Sequence, residues 1–300
     1  MAGPLILRVL SPLHDPSRAL RERAIQNTLA DLGFPAPRVF LASADTEILG
    51  GAFLVMERRP GQPLLDAQRL GVARLLVDTQ LKLHALDPET LLQALESEAP
   101  GASGLVTLDG HLTQLESRIA RRNLNGLDPA MRWLRNRRAV PQRPHAICHG
   151  DFHPLNLLVD KGRVTAVLDW PNVVVADPAC DVAATRVILA LTPLEILQVS
   201  APRRWALEAF LRFVLARYLA GYRRRRPLDH TTLAYYEAFA CMRGLVRAAE
   251  SRVVPPGAVA APPNPLDASS FGDRLCARFA LLTGIKPVLP PRSRTSQGSR

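Results

Sequence analysis

The sequence predicts an α+β protein, with a small β-containing lobe followed by a larger, mainly helical one. Three observations carry this expectation. The first sixty residues read strand, helix, strand, strand; long stretches after residue 67 keep helical spacing; and one β-hairpin, at 157–168, interrupts them. The expected division places the small lobe at 1–58, the helical lobe at 59–286 and a disordered tail at 287–300.

"PLILRVL" (4–10) is apolar apart from Arg8 and reads as a strand. Asp15-Pro16 supplies a cap and a first-turn proline for a helix running to Leu32, where Gly33 and the extended "FPAPRVFLA" stop it. "TEILGGAFLVMERRPG" (46–61) reads as a hairpin turning at Gly50-Gly51, with a second strand at 52–57. Ala67 to Leu86 is helical, with Leu70, Leu75, Leu76, Leu81 and Leu83 forming its apolar face. "SEAPGASGLVTLDG" (97–110) reads as a loop, followed by an arginine-studded helical region at 111–139. Further helices are expected at 179–190, 203–222, 228–250 and 267–283. Proline-rich 253–265 should be an extended connector, and the last dozen residues lack the apolar anchors that would order them.

A chain of 300 residues with 47% apolar content can bury a sizeable core, and its mean hydropathy near zero is that of an ordinary globular protein. The net charge of +11 taken alone suggests an anionic partner. The excess is arginine, spread over separate segments such as Arg118 to Arg138 and Arg223 to Arg226, with no array of stacking aromatics. Nucleic acid is therefore disfavoured as a partner. The cysteines, Cys148, Cys180, Cys241 and Cys276, are far apart, which excludes zinc-type pairs and suits reduced thiols in the cytoplasm. The apolar run at the N-terminus is interrupted by Arg8, and Val182 to Val199 is broken by Arg186, Pro193 and Glu195, so no membrane span is expected.

The chemistry is concentrated in "HAICHGDFHPLNLLVDKGRVTAVLDW" (145–170). Strands at 157–159 and 164–168 flank an Asp160-Lys161-Gly162-Arg163 turn and bring Asp169 back towards residues 149–156. Asp151, Asn156 and Asp169 can then converge. Two of them offer the hard oxygens that magnesium takes, leaving one free carboxylate. An aspartate that accepts a hydroxyl proton, an asparagine five residues on and a metal aspartate after a hairpin are the parts of a phosphoryl-transfer site. A metallohydrolase would instead use His149, Asp151 and His153 as ligands, but it leaves Asn156 and Asp169 idle. The other histidines, His14, His84, His111 and His230, are scattered. His149 also reads as a residue that orients its loop, and His153 as a cap.

The series His149-Gly150-Asp151, His153, Asn156, Leu168-Asp169-Trp170, Asp177-Pro178 and Asp181 resembles the signature of the aminoglycoside phosphotransferase and choline kinase-like family. The resemblance implies a protein-kinase-like two-lobe fold and a site using ATP and Mg2+. It makes Asp151 the catalytic base and Asn156 and Asp169 the metal ligands, with His149, His153, Asp177 and Asp181 in support. Upstream, Arg8 stands where the family has its phosphate-binding lysine, and Glu22 matches the helix carboxylate that pairs with that cation. Glu22 lies at the edge of the stripe Ile25, Thr28, Leu29, Leu32, with Arg21 placed deeper in it. "FLVMERRPGQPL" resembles the inter-lobe hinge, whose backbone around Met56, Glu57 and Arg58 would bind adenine.

The family's small lobe starts with two strands and a phosphate-covering loop ahead of the cation strand. Only seven residues precede Arg8, and no G-x-G-x-x-G occurs in the chain. The small lobe is thus expected to be shortened, with an exposed apolar edge at strand 4–10 and weak ATP binding, unless the natural start lies upstream. The function expected is an ATP- and Mg2+-dependent phosphotransferase acting on a hydroxyl of a small molecule. The alternative is a nucleotide- or ligand-binding pseudokinase. After Asp177 the acidic residues are sparse (Asp181, Glu195, Glu208, Asp229, Glu237 and Glu250 among them), which favours a neutral or anionic acceptor over a polycationic aminoglycoside.

Overall fold

Asn27 ties the first helix to the first sheet: its side-chain amide donates to the Val39 carbonyl at 3.0 Å and its oxygen accepts from the Val39 N–H at 2.8 Å. This comes from a computed structural model, which describes residues 3–11, 15–67, 71–137, 145–197, 199–253 and 269–291. In chain order the elements are β1 (Leu5–Val9), α1 (Arg18–Asp31), β2 (Val39–Ser43), β3 (Phe53–Glu57), β4 (Gln62–Pro63) and α2 (Leu64–Ala67). Next come α3 (Val72–Leu83), α4 (Pro88–Glu98), α5 (Ala102–Leu105), α6 (Leu108–Arg121), α7 (Asp128–Asn136), β5 (Ala146–Cys148), β6 (Leu157–Asp160) and β7 (Arg163–Val167). The last are β8 (Val174–Ala176), α8 (Ala179–Leu191), α9 (Ala201–Arg225), α10 (His230–Glu250) and α11 (Ser269–Thr283). Of the described residues, helix takes 58% and sheet 13%, the mixed α+β class expected.

The chain forms two compact units. The first comprises 1–111, 141–181 and 216–227 and holds all the strands found among the described residues. Its main sheet is antiparallel in the order β1-β3-β2, with Leu54 of the central strand fully buried. Leu10, Ala19, Val39, Ala52, Leu54 and Met56 form the core beneath it. β1 is the outer strand, and its Leu5, Ile6, Leu7 and Val9 are all 43–55% exposed, the apolar edge that the sequence leads one to expect. A second sheet, β4-β6-β7, contains the 157–168 hairpin, and β5 pairs with β8 in a third.

The second unit comprises 112–140, 182–215 and 228–300 and is helical where described. Asp229 caps α10 by accepting from the Thr232 N–H at 2.7 Å. α11 packs so closely on α10 that a Cβ at Gly244 would lie 2.7 Å from Leu275 Cδ1, so glycine is what lets the helices approach. Trp133 of α7 stacks on Tyr235 and meets Phe279 edge-on, with ring centres 6.1 Å apart in each case.

Several local readings are corrected. The first strand of the small hairpin is β2 at 39–43, inside the segment read as merely extended, and 46–51 is turn. α1 starts at Arg18, because Asp15 accepts from the N–H and hydroxyl of Ser17 and Pro16 falls in the turn before the helix. Residues 97–110 are not a loop. Asp87 caps α4 through the Glu89 and Thr90 N–H groups and carries it to Glu98, Gly101 turns at φ 80°, and α5 and α6 follow. The helical region at 111–139 is two helices, separated by a short 3-10 turn at Asn125–Leu127. Leu70, residues 254–265 of the proline-rich connector and the tail from 292 lie outside the described residues.

All four cysteines are free. Among the described residues, no helix is long and apolar enough to cross a membrane.

Candidate active site

The site lies within the first unit, on the loop that leaves β5 and on the residue that follows β7. Gly150 adopts φ 75°, a conformation cheap only for glycine, and the chain reverses there. Asp181 stabilises the reversal. This fully buried carboxylate accepts from the His149 N–H at 3.1 Å and the Gly150 N–H at 2.9 Å. Burial alone would raise the Asp181 carboxyl, but the His84 hydrogen bond, the nearby histidines and the Gly150 N–H together hold it below the usual carboxylate range.

His149 is buried with both ring nitrogens used. Nε2 lies 2.9 Å from the Leu168 carbonyl and therefore carries the proton, leaving Nδ1 to accept from the Asp151 N–H at 3.2 Å. Trp170 packs on the ring at 4.5 Å between centres, and Phe152 meets it edge-on. The loop-orienting reading of His149 fits this geometry, whereas a metal ligand would need one of those nitrogens free.

Asp151 is thus fixed at its N–H by His149, and at its carbonyl by the Asn156 side-chain amide at 2.9 Å. Its carboxylate is 27% exposed and, among the described residues, carries no hydrogen bond that immobilises it, with His153 Nε2 3.8 Å away. Burial holds His153 below its ordinary range, against the pull of the Asp151 charge. Asn156 spends its amide N–H on the loop, so its oxygen is the group left to bind a cation. The Leu168 N–H donates to the Asn156 carbonyl at 2.8 Å. With His149 on the Leu168 carbonyl, both backbone groups of Leu168 are clamped to the loop, and Asp169 emerges beside it.

Asp169 itself sits at φ 66°, in the left-handed region where a non-glycine residue is uncommon and aspartate is among the better tolerated. Arg8 links it to α1. One guanidinium nitrogen is 2.9 Å from Glu22 and the other 3.0 Å from Asp169. Glu22 is completely buried and also binds Arg18 at 2.7 Å. Arg21, placed deeper by helical spacing, instead reaches outward to Asp15, so Glu22 is the inward carboxylate.

Asp177, two residues before the start of α8, accepts from the Ala179 N–H at 2.8 Å. Met56 is buried in β3. The Glu57 N–H is bonded to the Arg38 carbonyl and that of Arg58 to the Pro4 carbonyl, so neither donor is spare for a base. The structure therefore links His149, Asp151, Asn156 and Asp181 by hydrogen bonds and Arg8, Glu22 and Asp169 by ion pairs, with His153 3.8 Å from Asp151 and Asp169 following the clamped Leu168; Met56, Glu57 and Arg58 take no part in these bonds. Two open clefts, of about 500 and 480 Å3, lie elsewhere, at Phe34–Phe40 and at Gly61–Gly162, and neither includes Asp151 or Asp169.

Sequence reasoning missed His84, which is 4% exposed and lies 3.2 Å from Asp181. The available signal was its position immediately after Leu83, the last residue of α3, where a polar group continues a buried stripe.

A family model described as "Phosphotransferase enzyme family" matches residues 2–228. The chain is similar to the aminoglycoside 3'-phosphotransferase of Streptomyces fradiae, 32% identical over 219 residues that cover 68% of this chain and 72% of that protein. It is 28% identical over 173 residues to the human acyl-CoA dehydrogenase family member 11, covering 54% of this chain but 22% of that protein. The chain thus spans about a fifth of such relatives. Among solved structures, the aminoglycoside phosphotransferase APH(3'')-Id of Streptomyces rimosus, in complex with ADP and streptomycin, superposes with a TM-score of 0.54 at 20% identity, over 78% of this chain and 85% of that one.

Proposed function

We propose, from the premise that this chain belongs to the phosphotransferase enzyme family, that it uses ATP with Mg2+ to phosphorylate a hydroxyl of a small molecule. The observation that supports the reading is the double clamp on Leu168, whose two backbone groups bind His149 and Asn156 and so hold the residue before Asp169 against the loop that carries Asp151. The ADP and streptomycin held by the Streptomyces rimosus protein support a nucleotide and a small-molecule acceptor here. Residues 1–58 would form the nucleotide side and 59–286 would carry the loop and the acceptor site. The free cysteines suit a cytoplasmic compartment.

Asp151 would take the acceptor's proton at its carboxylate as transfer proceeds. Its backbone is held on both sides, so proton uptake requires no movement of the loop. The Asn156 amide oxygen and the Asp169 carboxylate are the hard, partly accessible oxygens that Mg2+ takes, and the residues fit the ion. When bound, the ion supplies neutralisation of charge on the phosphate oxygens. Arg8 would bind a phosphate oxygen while Glu22 holds the guanidinium in place. Base recognition around Met56 to Arg58 would fall to backbone carbonyls, since the Glu57 and Arg58 N–H groups are engaged. The rate gain would come chiefly from positioning and preorganised charge.

The acceptor is neutral or anionic in this reading. Each acidic residue noted after Asp177 is already occupied. Asp181 holds the loop, Asp229 caps α10, and Glu195, Glu208, Glu237 and Glu250 pair with Arg274, Arg212, Arg278 and Arg118. Glu237, nearly buried, also has Arg186 at 2.5 Å. These residues therefore offer little uncompensated negative charge to a polycation.

ADP release from ATP should require Mg2+ or Mn2+, and should rise more with neutral or anionic hydroxyl compounds than with aminoglycosides. Zinc retained in equal amount with the protein, and lost on changing His149 and His153, would support the hydrolase instead. ATP binding without ADP release across the acceptor panel would leave a nucleotide-binding protein rather than an enzyme.

A further inference from the structure

Behind the loop, a file of buried polar groups runs from the Tyr222 hydroxyl to the His149 and Gly150 amides. Half-buried Arg226 flanks it, with a guanidinium nitrogen 3.4 Å from the His84 carbonyl. The Tyr222 oxygen is 2.8 Å from His84 Nδ1, and His84 Nε2 is 3.2 Å from Asp181. Tyr222 and Asp181 are fully buried and His84 nearly so.

The carboxylate end orders this file. A carboxylate only accepts, so the His84 ring proton sits on Nε2 and points at Asp181. Nδ1 is then an acceptor, and the Tyr222 hydroxyl donates to it. Asp181 takes the His84 donor beside the two loop amides, and these links are satisfied in one direction. Burial pushes the Tyr222 phenol above its ordinary range, which keeps the O–H donor in place.

We propose that His84 is a positioning residue: held as the Nε2–H tautomer by the Tyr222 hydroxyl, it fixes the Asp181 carboxylate that clamps the His149-Gly150 turn and so aims Asp151. The inference rests on the phosphotransferase reading for its effect on turnover, but not for its effect on the loop. The sequence offered His84 no role. It lies 97 residues from Asp181 and 138 from Tyr222, and only the fold unites them.

The test compares His84→Phe, His84→Gln and Tyr222→Phe in the full chain. Glutamine keeps a donor near the Nε2 position, phenylalanine keeps the ring alone, and Tyr222→Phe removes the hydrogen sent to Nδ1 while preserving packing. The readouts are kcat and KM for Mg2+-dependent ATP hydrolysis, with water as acceptor, and hydrogen exchange of the 145–156 segment by mass spectrometry. His84→Phe is expected to lower kcat about 10- to 100-fold, the loss of one hydrogen bond to a charged group, with KM for ATP within about threefold. Exchange at the turn should quicken, and His84→Gln should restore most of both. Tyr222→Phe should give a smaller loss in the same direction, and stands in if His84→Phe does not fold. Unchanged exchange in both phenylalanine variants overturns the proposal. So does a His84→Gln protein as impaired as His84→Phe, which would make the ring a packing element only. If the unsubstituted chain hydrolyses no ATP with water as acceptor, exchange alone decides on His84, and the acceptor panel decides the phosphotransferase reading separately.

Discussion

Asp151→Asn should bind ATP with Mg2+ within about threefold of the unsubstituted protein, yet transfer phosphate about a thousandfold more slowly, within the span general-base catalysis contributes. The expectation follows from how the residue is held. Its N–H is bound by His149 and its carbonyl by Asn156, and neither contact involves the side chain. The amide therefore leaves the loop in place and removes only the group that can take a proton. His153, 3.8 Å away, is a weak substitute because burial lowers its basicity. Calorimetry for binding and ADP release for transfer would check the two halves. Turnover within about tenfold of the unsubstituted protein would remove Asp151 from the mechanism, since a lost general base costs more than that.

Asp169→Asn is the second large effect, and comparison with Asp169→Ala separates its two causes. Asparagine tolerates the left-handed backbone at φ 66° but brings no charge, so ATP affinity should lose its dependence on Mg2+ and transfer should fall about a thousandfold or more. Stability should barely change. The Arg8–Asp169 pair is 33% and 41% exposed, and such pairs contribute about 0–1 kcal/mol. Alanine adds the backbone cost, a further 1–2 kcal/mol or so, and should melt detectably lower than asparagine. Equal melting temperatures would show that the backbone is unstrained there. Unaltered Mg2+ dependence in either variant would move the metal site elsewhere.

The site was legible in the sequence where spacing is local. The 157–168 hairpin is written in two apolar runs around a glycine turn, and it alone returns Asp169 to the loop. Glu22 could be placed at the edge of the helical stripe but not ranked against Arg21, because periodicity gives an angle and not a partner. Arg8, 14 residues away, decided that question through its ion pair. What could not be read is long-range and polar. The His84, Tyr222 and Asp181 file joins α3, α9 and α8, and none of the three has a local pattern that anticipates the others. The misread loop at 97–110 has a different cause. Pro100, Gly101 and Gly104 are helix breakers by propensity, yet short helices form around them, because Gly101 can turn at positive φ and Ala102, Val106 and Leu108 bury themselves.

The outer face of β1 has a further meaning for the molecule as a particle in solution. A strand that shows Leu5, Ile6, Leu7 and Val9 on both of its faces is an adhesive rim, ready to zip to the rim of a neighbour. What opposes that contact is mutual repulsion between molecules that each carry a net charge of +11. Repulsion of this kind has a short reach in salt, about 10 Å at 0.1 M and about 3 Å at 1 M, while the attraction between apolar rims does not fade in the same way. Ionic strength is therefore the dial that sets how long this protein stays dispersed, and dilute, low-salt solution is its colloidal refuge.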